Sequence, residues 1–358
     1  MTSAATTARP ATAPLDALRA QFVPVPGYLD AATSGLPARG SLDVLRTELD
    51  AWAAGGASTT RYDEAVEASR AAYARLVGVD PALVAVGAQT SAMVGQVAAS
   101  LPDGARVVAV EGDFTSVTWP FMTQQDRGVQ VRHVPLDALA DAVADGCDLV
   151  AFSLVQSVDG RVADVDAVRA AAAQVGATTL ADLTQAGWLP VDAGAFDLTV
   201  CSAYKWLAAP RGVGFLTATP DALERVRPGQ AGWYAGEERW ASTYGPAMHL
   251  ATTTRRLDVS PAWLCWAGAV PALEAFAGTD PELVRAHDVG LTDLLCDGLD
   301  LPRTGTAFVA LPDPDGTVGA ALAAAGVRAA TRGGGVRMAF HVWNSTDDVD
   351  RVLRALRP

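Results

Sequence analysis

Apolar positions along the chain follow two alternating rhythms. Short runs at 83–86, 106–110, 129–133, 149–154, 178–182, 198–202 and 213–217 have the length and branching of buried strands. Between most of them the spacing widens to the three-and-four repeat of a helix, as at 91–101 and 163–175. Two helices precede the series, 41–54 and 62–78, the second closed by Gly78. A short helix in LDALRAQF follows a loose tail at 1–14. Strands alternating with helices predict an α/β domain built on a largely parallel, seven-stranded sheet covered on both faces.

The rhythm breaks at GQAGWYAGEERWASTYGP (229–246), whose glycines and aromatics read as a long loop of the kind that often carries function. Helices at 261–277 and 280–296, strands at 307–311 and 336–341 and a last helix at 347–356 then predict a smaller α+β domain. The expected organisation is a disordered tail at 1–14, a large domain at 40–250, and a small domain made of 15–39 and 251–358. There is no internal repeat.

Composition removes several classes of function. The formal charge is −13 and no basic run occurs, so a nucleic-acid partner is not expected. No run of about 18 uncharged apolar residues suggests a membrane span. The first residues lack the apolar stretch of a signal peptide. Cys147, Cys201, Cys265 and Cys296 are scattered, without the spacing of a zinc site, and read as reduced thiols of a cytoplasmic protein. GxGxxG and GxSxG are both absent, which argues against a dinucleotide-binding oxidoreductase and a serine hydrolase.

One residue changes the picture. Lysine and arginine total 27, and Lys205 is the single lysine, leaving 26 arginines. Arginine cannot stand in for lysine where the group must lose its proton. A Schiff base needs a neutral amine as nucleophile. Lys205 lies just past one strand in LADLTQAGWLPVDAGAFDLTVCSAYKWLAAPRGVGFL (180–216), and Asp182 ends the strand before it. In a parallel sheet both fall at the carboxyl edge, where open α/β folds bind ligands. Amine and carboxylate together suit pyridoxal phosphate (PLP), whose ring nitrogen a carboxylate can keep protonated. Gln185 could donate to the ring oxygen, and Ser202 and Tyr204 carry hydroxyls able to hold phosphate. Taken singly, an acid at a strand end is more often an N-cap or a surface residue.

Asp182-x-x-Gln185 followed by Ser202-x-x-Lys205 resembles the class V aminotransferase family, which includes cysteine desulfurases and kynureninases. The resemblance implies PLP fold type I, a large domain with a small C-terminal one, and an α-amino-acid substrate. YLDAATSGLP (28–37) is similar to the family segment beside the substrate, with Ala32 in it. VGAQTSAMV (86–94) resembles the strand–turn–helix that receives phosphate, here through Gln89, Thr90 and Ser91; free N–H groups at a helix N-terminus suit a dianion. EGDFTSVTWPF (111–121) implies that Phe114 stacks on the ring. SLVQSVDGR (153–161) implies that Ser157 approaches the ring oxygen. Tyr204 before the lysine resembles the kynureninase variant. GVRMAFHVWNSTDDVDRVLRAL (335–356) resembles the closing segment whose arginine, here Arg337, clamps the substrate carboxylate, a task suited to a planar fork. RRLDVS (255–260) resembles the segment that a partner subunit supplies to the phosphate, with Ser260 for the usual Thr, and implies a homodimer with shared sites.

The chain also departs from the family. AGVRAATRGGGVRMAF (325–340) lacks the cysteine of a desulfurase, which argues against persulfide formation by the usual route. The finer resemblance is to ergothioneine-pathway carbon–sulfur lyases, resting on KWLAAPRGVGFL and RMAFHVWN. With Lys205 as general base and Asp182 behind the ring, the outcome is expected to be elimination, with transamination and epimerisation as alternatives. Trp233, Tyr234 and His341 are candidates for the substrate pocket, although His341 also reads as a satisfied buried histidine.

Overall fold

The computed structural model describes residues 14–357. The tail expected at 1–14 therefore lies outside the described residues, apart from Pro14. Seven strands form the large sheet: β1 (Val84–Gly87), β2 (Arg106–Val110), β3 (Gln130–Val134), β4 (Leu149–Ser153), β5 (Thr178–Asp182), β6 (Leu198–Ser202) and β7 (Gly214–Ala218). Their order is β1-β7-β6-β5-β4-β2-β3. Only β7 runs against its neighbours, β1 and β6; the other pairings are parallel. Every strand but β7 thus ends at one common edge, and β7 begins there.

The strand sequences explain their place. β1, β4, β6 and β7 are buried along their whole length, as strands covered on both faces must be, whereas β3, at the edge, is largely open. Alternate residues feed two cores. Val108, Val110, Val150, Phe152 and Cys201 face one; Val107, Leu149, Ala151, Leu198 and Val200 face the other. On the first face Tyr73 stacks on Phe215 with ring centroids 4.1 Å apart. Strand bounds match the sequence reading for β2, β5 and β6 and shift by a residue or so elsewhere.

A second sheet, ordered β8-β10-β9, is antiparallel: β8 (Phe308–Pro312), β9 (Ala330–Arg332) and β10 (Gly335–Ala339). Its apolar side packs with Leu295, Leu322 and Val352. β9 had no counterpart among the expected strands, because three residues beside a run of glycines carry almost no periodic signal. The helix Thr115–Met122 was also not expected; Pro120 lies inside it and masks its pattern. The long loop at 229–246 contains short 3₁₀ turns at Trp233–Ala235 and Trp240–Ser242. Among the described residues no helix is long and apolar enough to cross a membrane.

The segment before the first long helix joins the small sheet. Tyr28 bridges Arg328 and Asp30 bridges Ala339. On the far side, the turn Thr254–Leu257 is held to β1 by Asp258. That carboxylate is fully buried, accepts the Val86 N–H at 2.8 Å and pairs with the buried Arg70 at 2.7 Å.

Removing one partner of a buried pair leaves the other charge uncompensated. Asp258→Ala leaves Arg70 with Glu67 alone, and the change should lower stability by roughly 3–5 kcal/mol. Urea unfolding would show this as a lower midpoint at an unchanged slope. An unchanged midpoint contradicts the assignment.

Candidate active site

The shared strand edge gathers the candidate residues. Asp182 ends β5, and Ser202 ends the adjacent β6. Thr90 opens the helix Thr90–Ser100, three residues past the end of β1, and Phe114 follows β2. Lys205 comes three residues after β6, so its amine reaches back over the edge. A pocket there is lined by Gln89, Thr90, Ser91, Phe114, Asp182, Ser202, Tyr204 and Lys205, together with Thr184, Ser116 and Arg211.

Lys205 and Asp182 are both buried, at 6% and 4% exposure. Burial pushes the Lys205 amine down to about 8, against the pull of Asp182, with Arg337 adding to the lowering. Burial pushes Asp182 up to about 6, opposed by a hydrogen bond from Thr184 and by the Lys205 charge. The Thr184 N–H donates to Asp182 Oδ1 at 2.8 Å and fixes the carboxylate. Asp113 adds negative charge behind it, itself held by the Ser153 N–H at 2.7 Å and the Phe114 N–H at 2.6 Å. Lys205 Nζ lies 5.1 Å from the centroid of the Phe114 ring, whose exposure of 43% leaves a face available.

Hydroxyls converge opposite the carboxylate. Thr90 Oγ1 lies 2.9 Å from Ser202 Oγ and 3.5 Å from Thr184 Oγ1, which accepts the Ser202 N–H at 2.9 Å. Gln89, at the N-cap, makes no side-chain cap bond, so first-turn N–H groups of that helix face the pocket. Hydroxyls and a helix N-terminus suit a phosphate, and the buried carboxylate, with no cation within 4 Å among the described residues, suits a protonated ring nitrogen. The donor set fits PLP.

Two segments close over Lys205. The Gly35 N–H donates to the Tyr204 carbonyl at 2.9 Å, and a Cβ on Gly35 would lie 2.2 Å from the Lys205 carbonyl oxygen. Only glycine permits that approach. Ala208, at φ +53, bends the chain just beyond the lysine, a conformation that costs a non-glycine residue about 1–3 kcal/mol. The stretch 341–345 pins 27–30 in turn. Asn344 Nδ2 donates to the Tyr28 carbonyl at 3.0 Å, and the Gly27 N–H donates to Asp348 at 2.7 Å. Arg337 is buried and reaches Thr33 Oγ1 at 3.0 Å and the Ser157 carbonyl, with Asp30 at 3.9 Å. Burial pushes its guanidinium down to about 10, against the pull of Asp30.

Several expectations need correction. Gln185 does not line the pocket. Its amide donates to the Ala32 carbonyl at 3.0 Å and accepts the Trp206 indole N–H at 2.7 Å, so it braces 28–37 against the lysine loop. Ala32 acts there through its carbonyl. Ser157 meets Arg337 through its backbone and is not a lining residue. His341 is fully buried, donates its Nε2–H to the Trp206 carbonyl at 2.8 Å and accepts the Val342 N–H at Nδ1 at 2.7 Å; burial pushes it down to about 3, so it is a neutral structural histidine. Trp233 packs on Tyr234 and Trp240, and Tyr234 is buried against Asp63, away from the pocket lining. Ser260, which the resemblance assigns to a partner subunit's phosphate and which therefore needs no correction, is exposed and lies outside the pocket of its own chain. Sequence reasoning missed Thr184, Ser116 and Arg211. Thr184 had a signal, a hydroxyl two residues past a strand-end acid; Arg211, one of 26 arginines, had none.

Comparison with known proteins agrees with this geometry. The family model described as Aminotransferase class-V matches residues 28–308. An isopenicillin N epimerase of Streptomyces clavuligerus is 28% identical over 80% of this chain and 83% of its own length. The solved structure of the cysteine desulfurase CsdA from Escherichia coli superposes with a TM-score of 0.81 at 20% identity, over 96% of this chain and 97% of that one. The cystine C-S lyase C-DES, solved with cysteine persulfide, gives 0.82 at 18%, over 92% and 97%. At such identities the two structures speak for the fold. With most of the chain matched, and a site that fits the cofactor, the protein belongs to the aminotransferase class-V family and is a pyridoxal-phosphate-dependent enzyme.

Proposed function

We propose that the chain is a carbon–sulfur lyase that eliminates a sulfur group from the β-carbon of an α-amino acid. The observation that carries this reading is the pocket wall. Lys205 is its one amine, and no thiol or imidazole lines it among the described residues. A single base that removes the α-proton and no thiol to capture sulfur is the equipment of elimination rather than of desulfuration.

Bound PLP supplies an electron sink for the charge left at the α-carbon. Arg337 takes the substrate carboxylate in a planar fork and so orients the Cα–H bond. Lys205, with its amine lowered to about 8, is neutral in a useful fraction near neutral pH and accepts the α-proton. Asp182 would pair with the ring nitrogen of the bound cofactor and favour its protonated form. Phe114 would pack on the ring, and Gln89, Thr90, Ser91 and Ser202 would hold the phosphate. The carbon–sulfur bond then breaks, sulfur leaves with the electron pair and takes up a proton, and hydrolysis of the remaining enamine gives a keto acid and ammonia. In a homodimer, Ser260 of each chain would serve the other site, which accounts for a polar residue exposed outside its own pocket. Epimerisation is a second reading, favoured by the match to a named epimerase and by the Tyr204 hydroxyl in the same wall as Lys205.

Incubation of holoenzyme with cysteine or a cysteine conjugate, without a keto-acid acceptor, separates the outcomes. Catalytic release of keto acid and ammonia supports elimination. Conversion of one equivalent of cofactor to its amine form, or racemisation without keto acid, overturns it. Lys205→Ala should remove the visible band of the bound cofactor and lower turnover by about 10²–10⁴-fold.

Burial of Lys205 also makes stability depend on pH. Between about pH 8 and 10.5 the unfolded chain holds a proton that the folded, cofactor-free chain has lost. The penalty is complete below that window and vanishes as the pH rises through it. Cofactor-free parent protein should gain stability relative to Lys205→Met across the window. A thermal-melt difference that stays constant there contradicts the buried amine.

A further inference from the structure

The hairpin β9–β10 sets arginines in a row. Ala330 lies opposite Arg337, and Arg332 lies opposite Gly335. Residues directly opposed across an antiparallel pair share a face, as do alternate residues along a strand. Arg332 therefore projects on the same face as Arg337, two pairs nearer the hairpin tip. Arg328, a further alternate position back, follows the same side and lies 3.9 Å from Asp30 Oδ2. Asp30 also faces Arg337 at 3.9 Å. One carboxylate thus serves two guanidiniums, and the third has none. Arg332 is exposed, bonds only the Thr331 carbonyl at 2.9 Å, and has no carboxylate within 4 Å among the described residues.

The tip also stands at the site. A Cβ on Gly333 would lie 3.0 Å from Val158, the neighbour of Ser157, whose carbonyl holds Arg337. After burial, Asp182, Arg337 and Cys201, the Arg332 charge is also felt at Lys205 and favours its neutral form. In a protein of net charge −13, Arg328, Arg332 and Arg337 form a group of three cations beside one carboxylate, Asp30.

We infer that the substrate is an amino acid with a second anionic group on its side chain, and that Arg332 is the specificity-determining residue that receives it while Arg337 holds the α-carboxylate. This rests on the reading of Arg337 and Lys205 given above. An exposed guanidinium without a carboxylate partner can pair with an anionic side chain through a hydrogen bond charged on both sides, whereas the amide of the same shape brings a neutral acceptor and no opposite charge.

The test is equilibrium binding. Holoenzyme is titrated with aspartate, glutamate and cysteine sulfinate, and with asparagine and glutamine as uncharged isosteres, and the change in the visible spectrum gives Kd. The acids should bind about tenfold more tightly than the amides, as expected for one charge-assisted contact. Arg332→Gln should abolish that preference by weakening acid binding far more than amide binding, with the melting temperature unchanged. Arg332→Lys should restore part of it, and added salt should weaken it in the parent. A parent that binds acids and amides alike, or a preference that survives Arg332→Gln, overturns this inference alone. A parent whose spectrum responds to no amino acid overturns the underlying reading and this inference with it.

Discussion

A buried amine beside a buried carboxylate is a poor arrangement for a protein unless both have partners. At the edge of the large sheet, Lys205 and Asp182 are each driven by burial toward the neutral form, and each is pulled back by the other. Much of the surrounding structure manages that tension. Thr184 fixes the carboxylate, Asp113 adds charge behind it, and Gly35 lets 28–37 lie against the lysine backbone. A cofactor carrying a cationic ring nitrogen and a reactive carbonyl would relieve both groups at once. This is why the pocket reads as a receptor and not as a flaw in the core.

The two sides of the site have different origins. The cofactor side is built by topology: parallel strands deliver Thr90, Phe114, Asp182 and Ser202 to one edge because they end there. The substrate side is built by docking. Arg337 comes from the second sheet, and its position relative to Lys205 depends on Tyr28 and Asp30 bridging that sheet, with Asn344 and Asp348 holding the bridge. Gln185 and His341 belong to this second task. Both tie their segments to Trp206, the residue after the lysine. Small shifts between the sheets would therefore move Arg337 while leaving the cofactor pocket intact.

The parts legible in the sequence were those with a local signal. Strands at 106–110, 178–182 and 198–202 are apolar runs ended by polar residues, and they appear with those bounds. The lone lysine and its aspartate were legible because their chemistry has few substitutes. Side-chain direction was not. Gln185 and Thr184 are neighbours on the same loop, yet Thr184 faces the pocket and Gln185 faces Ala32 and Trp206. Ser157 contributes a carbonyl, which no side-chain motif announces. His341 and Trp233 looked functional because polar and aromatic groups serve cores and sites equally well. Arg332 became visible only through the register of a strand too short to predict.

The most direct measurement uses the same feature that first singled out the site. Because Lys205 is the single lysine, borohydride reduction of the holoenzyme followed by peptide mass spectrometry can label only that amine or the chain terminus. The account predicts one pyridoxyl group per chain, on the peptide containing Lys205. An unlabelled chain, or a label confined to the terminal amine, would contradict it.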